Sequence, residues 1–206
     1  MGILILAVVT LPLLTALFLK VANRFLNELL TNFITINAAL LSVAVSFFMF
    51  GYLLLDKFKP IKFELFEWYP SPQIIFEFYL DGLSGVMMIL ISGLSLVIQL
   101  FSTSYMSKDE KYTKYFEYFN FFVFSMLLLV LSGNFLVMFF GWELVGLSSY
   151  LLISFWYEKN SAAKAGNKAF ILNRIGDFGF LIGLMMILNY FETFNFVNIF
   201  ESVLIK

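Results

Sequence analysis

The chain has 206 residues, 61% of them hydrophobic and 13% charged, with a formal net charge of −1 and a mean hydropathy of +0.91. Soluble domains are about half apolar and about a quarter charged, so this composition belongs to a multi-pass membrane protein, and the lack of a basic block argues against nucleic acid as a partner. With no cysteine and no histidine, the sequence excludes disulfides, iron–sulfur ligation, ordinary haem ligation and Cys/His zinc sites; any redox centre it serves is held elsewhere, and neither cofactor nor metal is expected on this chain.

Met1-Gly2 leads directly into the apolar run Ile3–Leu19, with no basic residue before it and no small-residue cleavage site after it. That pattern predicts a retained span rather than a signal or transit peptide. At 1.5 Å per residue the run is about 25 Å long, enough for a hydrocarbon core. A second run, Phe33–Leu55, is followed by the only long connection, Asp56 to Gly82. There Lys62-Phe63-Glu64-Leu65-Phe66-Glu67-Trp68 alternates polar and apolar residues, Tyr69-Pro70-Ser71-Pro72 marks a turn, and Ile74-Ile75-Phe76-Glu77-Phe78-Tyr79 is β-branched and aromatic. A short β-hairpin on the outer surface is one reading, and an irregular loop with interfacial aromatics is the other. The third run is Leu83–Phe101, with Asp81 before it as a helix N-cap rather than a proton carrier.

The forty residues from Tyr118 to Tyr157 contain one charge, Glu143. Their only turn signal, Ser132-Gly133-Asn134, divides them into Phe116–Leu131 and Phe135–Trp156. The sixth run, Ala169–Tyr190, is interrupted by Arg174 and Asp177, and Phe191 to Lys206 reads as an outer connection. These lengths, without strand-like alternation, predict an all-α bundle of about six transmembrane helices forming a single domain over residues 1–206. Lysines and arginines set its orientation. Eight of them (Lys20, Arg24, Lys108, Lys111, Lys114, Lys159, Lys164, Lys168) follow the odd-numbered runs, against four (Lys57, Lys59, Lys62, Lys206) elsewhere, which places the N-terminus outside.

Placing an acid such as Glu143 at a helix centre in lipid costs roughly 2.5–3.5 kcal/mol on insertion scales, which points to a proton relay; a structural contact to Ser148 or to a neighbouring helix is the alternative. Arg174 and Asp177 are three residues apart, share one helical face and can pair, either as a packing bridge or as part of a proton route. Lys168 stands at the inner mouth of the sixth run, a snorkelling lysine or a proton-path residue, whereas Lys164 reads as positive-inside charge. Gly141, Gly146, Gly176 and Gly179 suit close helix approach.

A family resemblance rests on Tyr105-Met106, Tyr118-Phe119-Asn120, Phe124 through Leu131, Asn134, Gly141-Trp142-Glu143, Gly146-Leu147 and Ser149 through Ile153. It continues through Phe155-Trp156-Tyr157, Lys168-Ala169-Phe170 and Asn173-Arg174-Ile175-Gly176-Asp177-Phe178-Gly179, with Leu80-Asp81-Gly82-Leu83-Ser84 at the entry to the third run. This ordered set resembles the antiporter-like proton-translocating subunits of respiratory complex I, and within them the chain 5 type. The resemblance implies proton translocation coupled to NADH-to-ubiquinone electron transfer by a non-redox subunit, with Glu143, Asp177, Arg174 and Lys168 as the residues that carry it. It implies NADH, FMN, iron–sulfur clusters and ubiquinone in partner subunits, an adjacent antiporter-like subunit as neighbour, and the mitochondrial inner membrane as location. Heavy use of Phe, Tyr, Asn and Lys agrees with an AT-rich organellar gene. A subunit of a multisubunit cation/proton antiporter or of a membrane-bound hydrogenase shares the same elements.

The family continues beyond a sixth span into a seventh with a buried lysine, an eighth with a histidine, a broken twelfth with another lysine, and a long lateral helix. The expectation is therefore a split gene, with a second polypeptide carrying these spans, or a partial chain. The seventh-span lysine would then face Glu143 from the other polypeptide, and Glu143 and Asp177 would lie on faces that need partners.

Overall fold

The computed structural model describes residues 1–70 and 73–205. Six long helices, α1 (Gly2–Ala22), α2 (Glu28–Leu55), α3 (Gly82–Tyr105), α4 (Tyr112–Val130), α5 (Phe135–Ile153) and α6 (Asn160–Phe191), match the six runs in order and lengthen most of them. α6 starts nine residues before the expected Ala169, so Lys164 and Lys168 lie within the helix, not in a loop. α5 stops at Ile153, short of Trp156, where Ser154 turns its hydroxyl back to the carbonyl of Tyr150 at 2.6 Å. Five of the helices are long and apolar enough to cross a membrane. α4 falls short of that measure because Lys114, Glu117 and Asn120 occupy its first half.

The helix starts follow local chemistry. Asn27 accepts from the amide of Leu30 at 2.9 Å, and Asn134 from that of Val137 at 2.8 Å. Asp81 and Ser84 form a reciprocal capping box at α3, as the N-cap reading required.

The connection between α2 and α3 is a β-hairpin, β1 (Ile61–Pro70) and β2 (Gln73–Leu80), paired antiparallel from Ile61↔Leu80 to Pro70↔Gln73. Register shifts fall between Glu64 and Phe66 and between Glu67 and Tyr69. Of the expected turn, Ser71-Pro72 lies outside the described residues, as does the charge counted at Lys206. The hairpin lies across the bundle end: Trp68 packs on Phe140 with ring centroids 5.2 Å apart, and the amide of Tyr79 donates to the carbonyl of Leu131 at 2.8 Å.

Inside the bundle α1, α3 and α4 share an apolar core that includes Ile5, Val9, Met88, Val123 and Leu127, while α2 turns small polar residues toward its neighbours. α2 buries Thr31, Thr35, Ser42 and Ser46, and Thr35 and Ser46 return their hydroxyl protons to backbone carbonyls four residues earlier at 2.9 and 2.8 Å. Large apolar side chains such as Phe33, Phe47, Phe48 and Phe101 point outward. That outward apolar surface suits a lipid surround, where close packing of small residues helps to join helices. α4 is the most enclosed helix; it packs on α1 and α5 and touches α2 and α3.

The connection expected after Phe191 carries a helix of its own. Glu192 ends α6 in the left-handed conformation, with φ 57°, and a seventh helix, α7 (Phe196–Ile205), follows. Asn195 bridges to Asn134, and the amide of Phe135 donates to the carbonyl of Phe194 at 3.1 Å, which ties this segment to the turn before α5.

Candidate functional site

α5 and α6 are antiparallel neighbours that meet in layers. Tyr150 lies against Phe170, with centroids 5.4 Å apart, and Phe139 lies against Phe180, also at 5.4 Å. The charges sit between these aromatic layers. Glu143, midway along α5, is ion-paired through Oε2 to Nη1 of Arg174, and the same Nη1 is 3.5 Å from Oδ2 of Asp177. Oδ1 of Asp177 accepts from the indole Nε1 of Trp142 at 2.8 Å. The Arg174 guanidinium also lies over the ring of Phe170, 4.7 Å from its centroid.

Glycines make room for this arrangement. A Cβ at Gly141 would come within 2.6 Å of the Leu129 Cα, so glycine is what lets α5 seat directly on the α4 backbone. At Gly146 a Cβ would only touch Asn173 Nδ2 and Arg174 Nη2, at 3.7 and 3.8 Å. At Gly176 and Gly179 it would meet nothing within 4 Å, so the close approach expected there is not made among the described residues.

Three of the four expected residues therefore converge, and one does not. Lys168 is exposed, six residues before Arg174 on α6, and none of the ion pairs among the described residues includes it. Asp177 is not left on an open face: its side chain is only 7% exposed, because Trp142 covers and donates to it. Glu143, at 21% exposed, is half-buried and has a cation from its own chain, while Ser148 donates instead to the carbonyl of Val145 at 3.1 Å. The role of Trp142 was missed, although a buried indole N–H ordinarily finds an acceptor and Asp177 is the acid one layer away.

Chemically, the cluster holds two carboxylates and one guanidinium that stays protonated. With both acids ionised it carries one net negative charge, and one added proton neutralises it. The Nε of Arg174 is buried and has no partner, so the guanidinium is not locked on every side.

The family described as "NADH:quinone oxidoreductase/Mrp antiporter, TM" matches residues 132–205, and "NADH-Ubiquinone oxidoreductase (complex I), chain 5 N-terminus" matches residues 68–116. The chain belongs to this family of antiporter-like respiratory membrane subunits. Family relatives include NADH-quinone oxidoreductase subunit L of Rickettsia bellii, 36% identical over 94% of this chain and 30% of the relative. NADH-ubiquinone oxidoreductase chain 5 of Acanthamoeba castellanii is 37% identical over 93% of this chain and 28% of the relative. The chain thus spans about a third of the length of these family members. Its fold is that of a subunit in the membrane-bound sulfane sulfur reductase, an archaeal respiratory membrane complex, with a TM-score of 0.82 over 95% of this chain and 39% of that one, at 22% identity.

Proposed function

We propose that this chain is part of a proton-translocating membrane-arm subunit of respiratory complex I, in the mitochondrial inner membrane, coupling NADH-to-ubiquinone electron transfer to proton movement. The observation that carries the reading is the Glu143–Arg174–Asp177 cluster, held midway along two apolar helices between aromatic layers. Redox chemistry lies in partner subunits that hold NADH, FMN, iron–sulfur clusters and ubiquinone, and this chain handles only protons. A cation beside a carboxylate favours its ionised form, and withdrawing the cation favours protonation. Arg174 touches both acids, so a shift of its guanidinium between Glu143 and Asp177 changes which of them takes the proton. A buried lysine brought toward Glu143 from a neighbouring helix would drive that shift. Lys168, exposed toward the lysine-rich end, would serve as an entry-side group rather than as a member of the cluster.

Glu143→Gln in the assembled complex tests this. The amide keeps volume and hydrogen bonding, so assembly on native gels should survive, while proton pumping and NADH-driven quinone reduction should both fall by about tenfold or more, within the range that positioned acids and bases supply. Glu143→Asp should retain part of the activity. Normal pumping from a fully assembled Gln variant would show Glu143 to be structural. The family description that includes Mrp antiporters keeps a cation/proton antiporter subunit as a second reading; co-purification with NADH-oxidising, iron–sulfur partners separates the two.

A further inference from the structure

Away from the charged cluster, α1, α2, α3 and α4 enclose a cavity of about 10 Å³ lined by Pro12, Ser42, Ser95, Gln99 and Asn120 among small apolar neighbours. Two of its polar atoms, Ser42 Oγ and Gln99 Oε1, are buried and have no hydrogen-bond partner, and their residues are 2% and 1% exposed. Each belongs to a different helix, α2 and α3, and α4 contributes Asn120, also buried. Ser95 donates its own proton to the carbonyl of Ser92 at 2.7 Å, and Asn120 donates one amide proton to the carbonyl of Phe116 at 2.9 Å. Both keep hydrogen-bonding capacity toward the cavity, because a hydroxyl still accepts and an amide still has a second N–H and its oxygen.

We infer that this cavity is a binding site for a single water molecule, which donates to Gln99 Oε1 and hydrogen-bonds to Ser42 Oγ. The size decides the number: about 10–15 Å³ of space for a water's centre is the least that admits one molecule. The chemistry decides the kind. Every residue lining the cavity is uncharged, so a cation would lose its hydration with no carboxylate to replace it, whereas water supplies the donor that the amide oxygen lacks. A dry cavity in a membrane interior leaves both atoms without any alternative partner. The location gives the water a role. Pro12 lacks an N–H and so removes one hydrogen bond from α1 at this level, and a water beside it joins the α2 and α3 side chains and so ties those two helices together. The site shares no residue with the Glu143 cluster and serves assembly rather than proton transfer.

The test is a cryo-EM map of the intact respiratory complex at a resolution that resolves buried waters, for the wild type and for Gln99→Met. One peak within hydrogen-bond distance of both Ser42 Oγ and Gln99 Oε1 is expected in the wild type. In Gln99→Met, which keeps the shape but removes the acceptor, that peak should vanish, while pumping per assembled complex stays unchanged. An empty cavity in a map that shows other buried waters, or a direct Gln99–Ser42 hydrogen bond that closes the space, would overturn the inference even if the variant failed to assemble. So would a peak of undiminished height in Gln99→Met.

Discussion

Two carboxylate sites in this molecule are stabilised in opposite ways. Glu143 and Asp177 lie between membrane-spanning helices and share the guanidinium of Arg174. Glu77, on β2 at the hairpin end, is 3% exposed and bonds to the amide nitrogen of Asn195, with Asn134 alongside; Lys62 is the cation whose field it feels. The first arrangement sets one cation against two acids, leaving one net negative charge when both are ionised. The second holds an acid with neutral amides, and burial pushes its pKa above the ordinary glutamate value, with Lys62 and the two asparagines opposing that shift and Glu64 adding to it. The first site shares one cation between two acids, and the second is an amide clasp that ties the hairpin to the segment after α6. Substitutions at Arg174, Gly141 and Glu77 probe that contrast.

The largest effect belongs to Arg174→Met, which removes the cation from both mid-membrane acids while keeping an extended apolar stem. Stripping one partner from a buried ion pair costs about 3–5 kcal/mol, and the 36% exposure of the arginine side chain puts this case at the lower end. Assembled complex on native gels should fall strongly and pumping should be lost. Arg174→Lys should recover assembly but only part of the pumping, since one ammonium cannot reach two carboxylates in the manner of a guanidinium. Wild-type pumping in Arg174→Met would mean that the cluster carries no proton traffic.

Gly141→Val comes next. Its Cβ would meet the Leu129 backbone at 2.6 Å, which no rotamer change relieves. α5 would move off α4 and carry Glu143 with it, at about 1–3 kcal/mol of overpacking. Lower assembly is expected, read against Gly93→Ala on α3, where a Cβ would meet nothing within 4 Å. Equal loss in the two variants would remove the α4–α5 contact as the means of placing Glu143.

These contrasts also mark what the sequence discloses. Glu143, Arg174 and Asp177 stand out because charge inside an apolar helix has no cheap explanation, and the three-residue spacing puts the last two on one face whatever the fold. The donor from Trp142 to Asp177 depends on the register between α5 and α6, which no local pattern encodes. Gly176 and Gly179 look like contact glycines by composition, yet only a neighbour decides that, and among the described residues none lies within 4 Å of a Cβ placed there. α7 is short and follows Glu192-Thr193, so it reads as a connection until Phe196 is seen against Phe135, with ring centroids 4.7 Å apart. Glu77 is the plainest miss. The run Ile74–Tyr79 reads only as β-branched and aromatic, and nothing in it discloses that Glu77 is roofed by the Ser132–Asn134 turn and the segment after α6. Gly133 permits the roof, since a Cβ there would lie 2.5 Å from the Glu77 Cγ.

The smallest expected effect concerns that clasp and is read by pH. The pKa of Glu77 in the closed clasp is raised, chiefly by burial, whereas in an opened clasp it returns to the ordinary glutamate range. Between those two values the closed state binds more protons than the open one, so the clasp loses stability as pH rises through the raised pKa and is firmest below the ordinary glutamate range. Other charges bear on the same acid: Lys62 and Glu64 across the hairpin, and Glu192, which lines the same 260 Å³ pocket. Glu77→Gln keeps an oxygen for Asn195 and removes the charge, so its clasp should be at least as stable as wild type and flat with pH. Amide exchange at β2 and at residues 194–196, corrected for intrinsic rates, reads the opening free energy directly. Wild-type protection should decline with rising pH while the variant's stays level, and the two should converge in acid. Parallel slopes would assign the pH dependence to the neighbouring charges and leave Glu77 as an inert anchor.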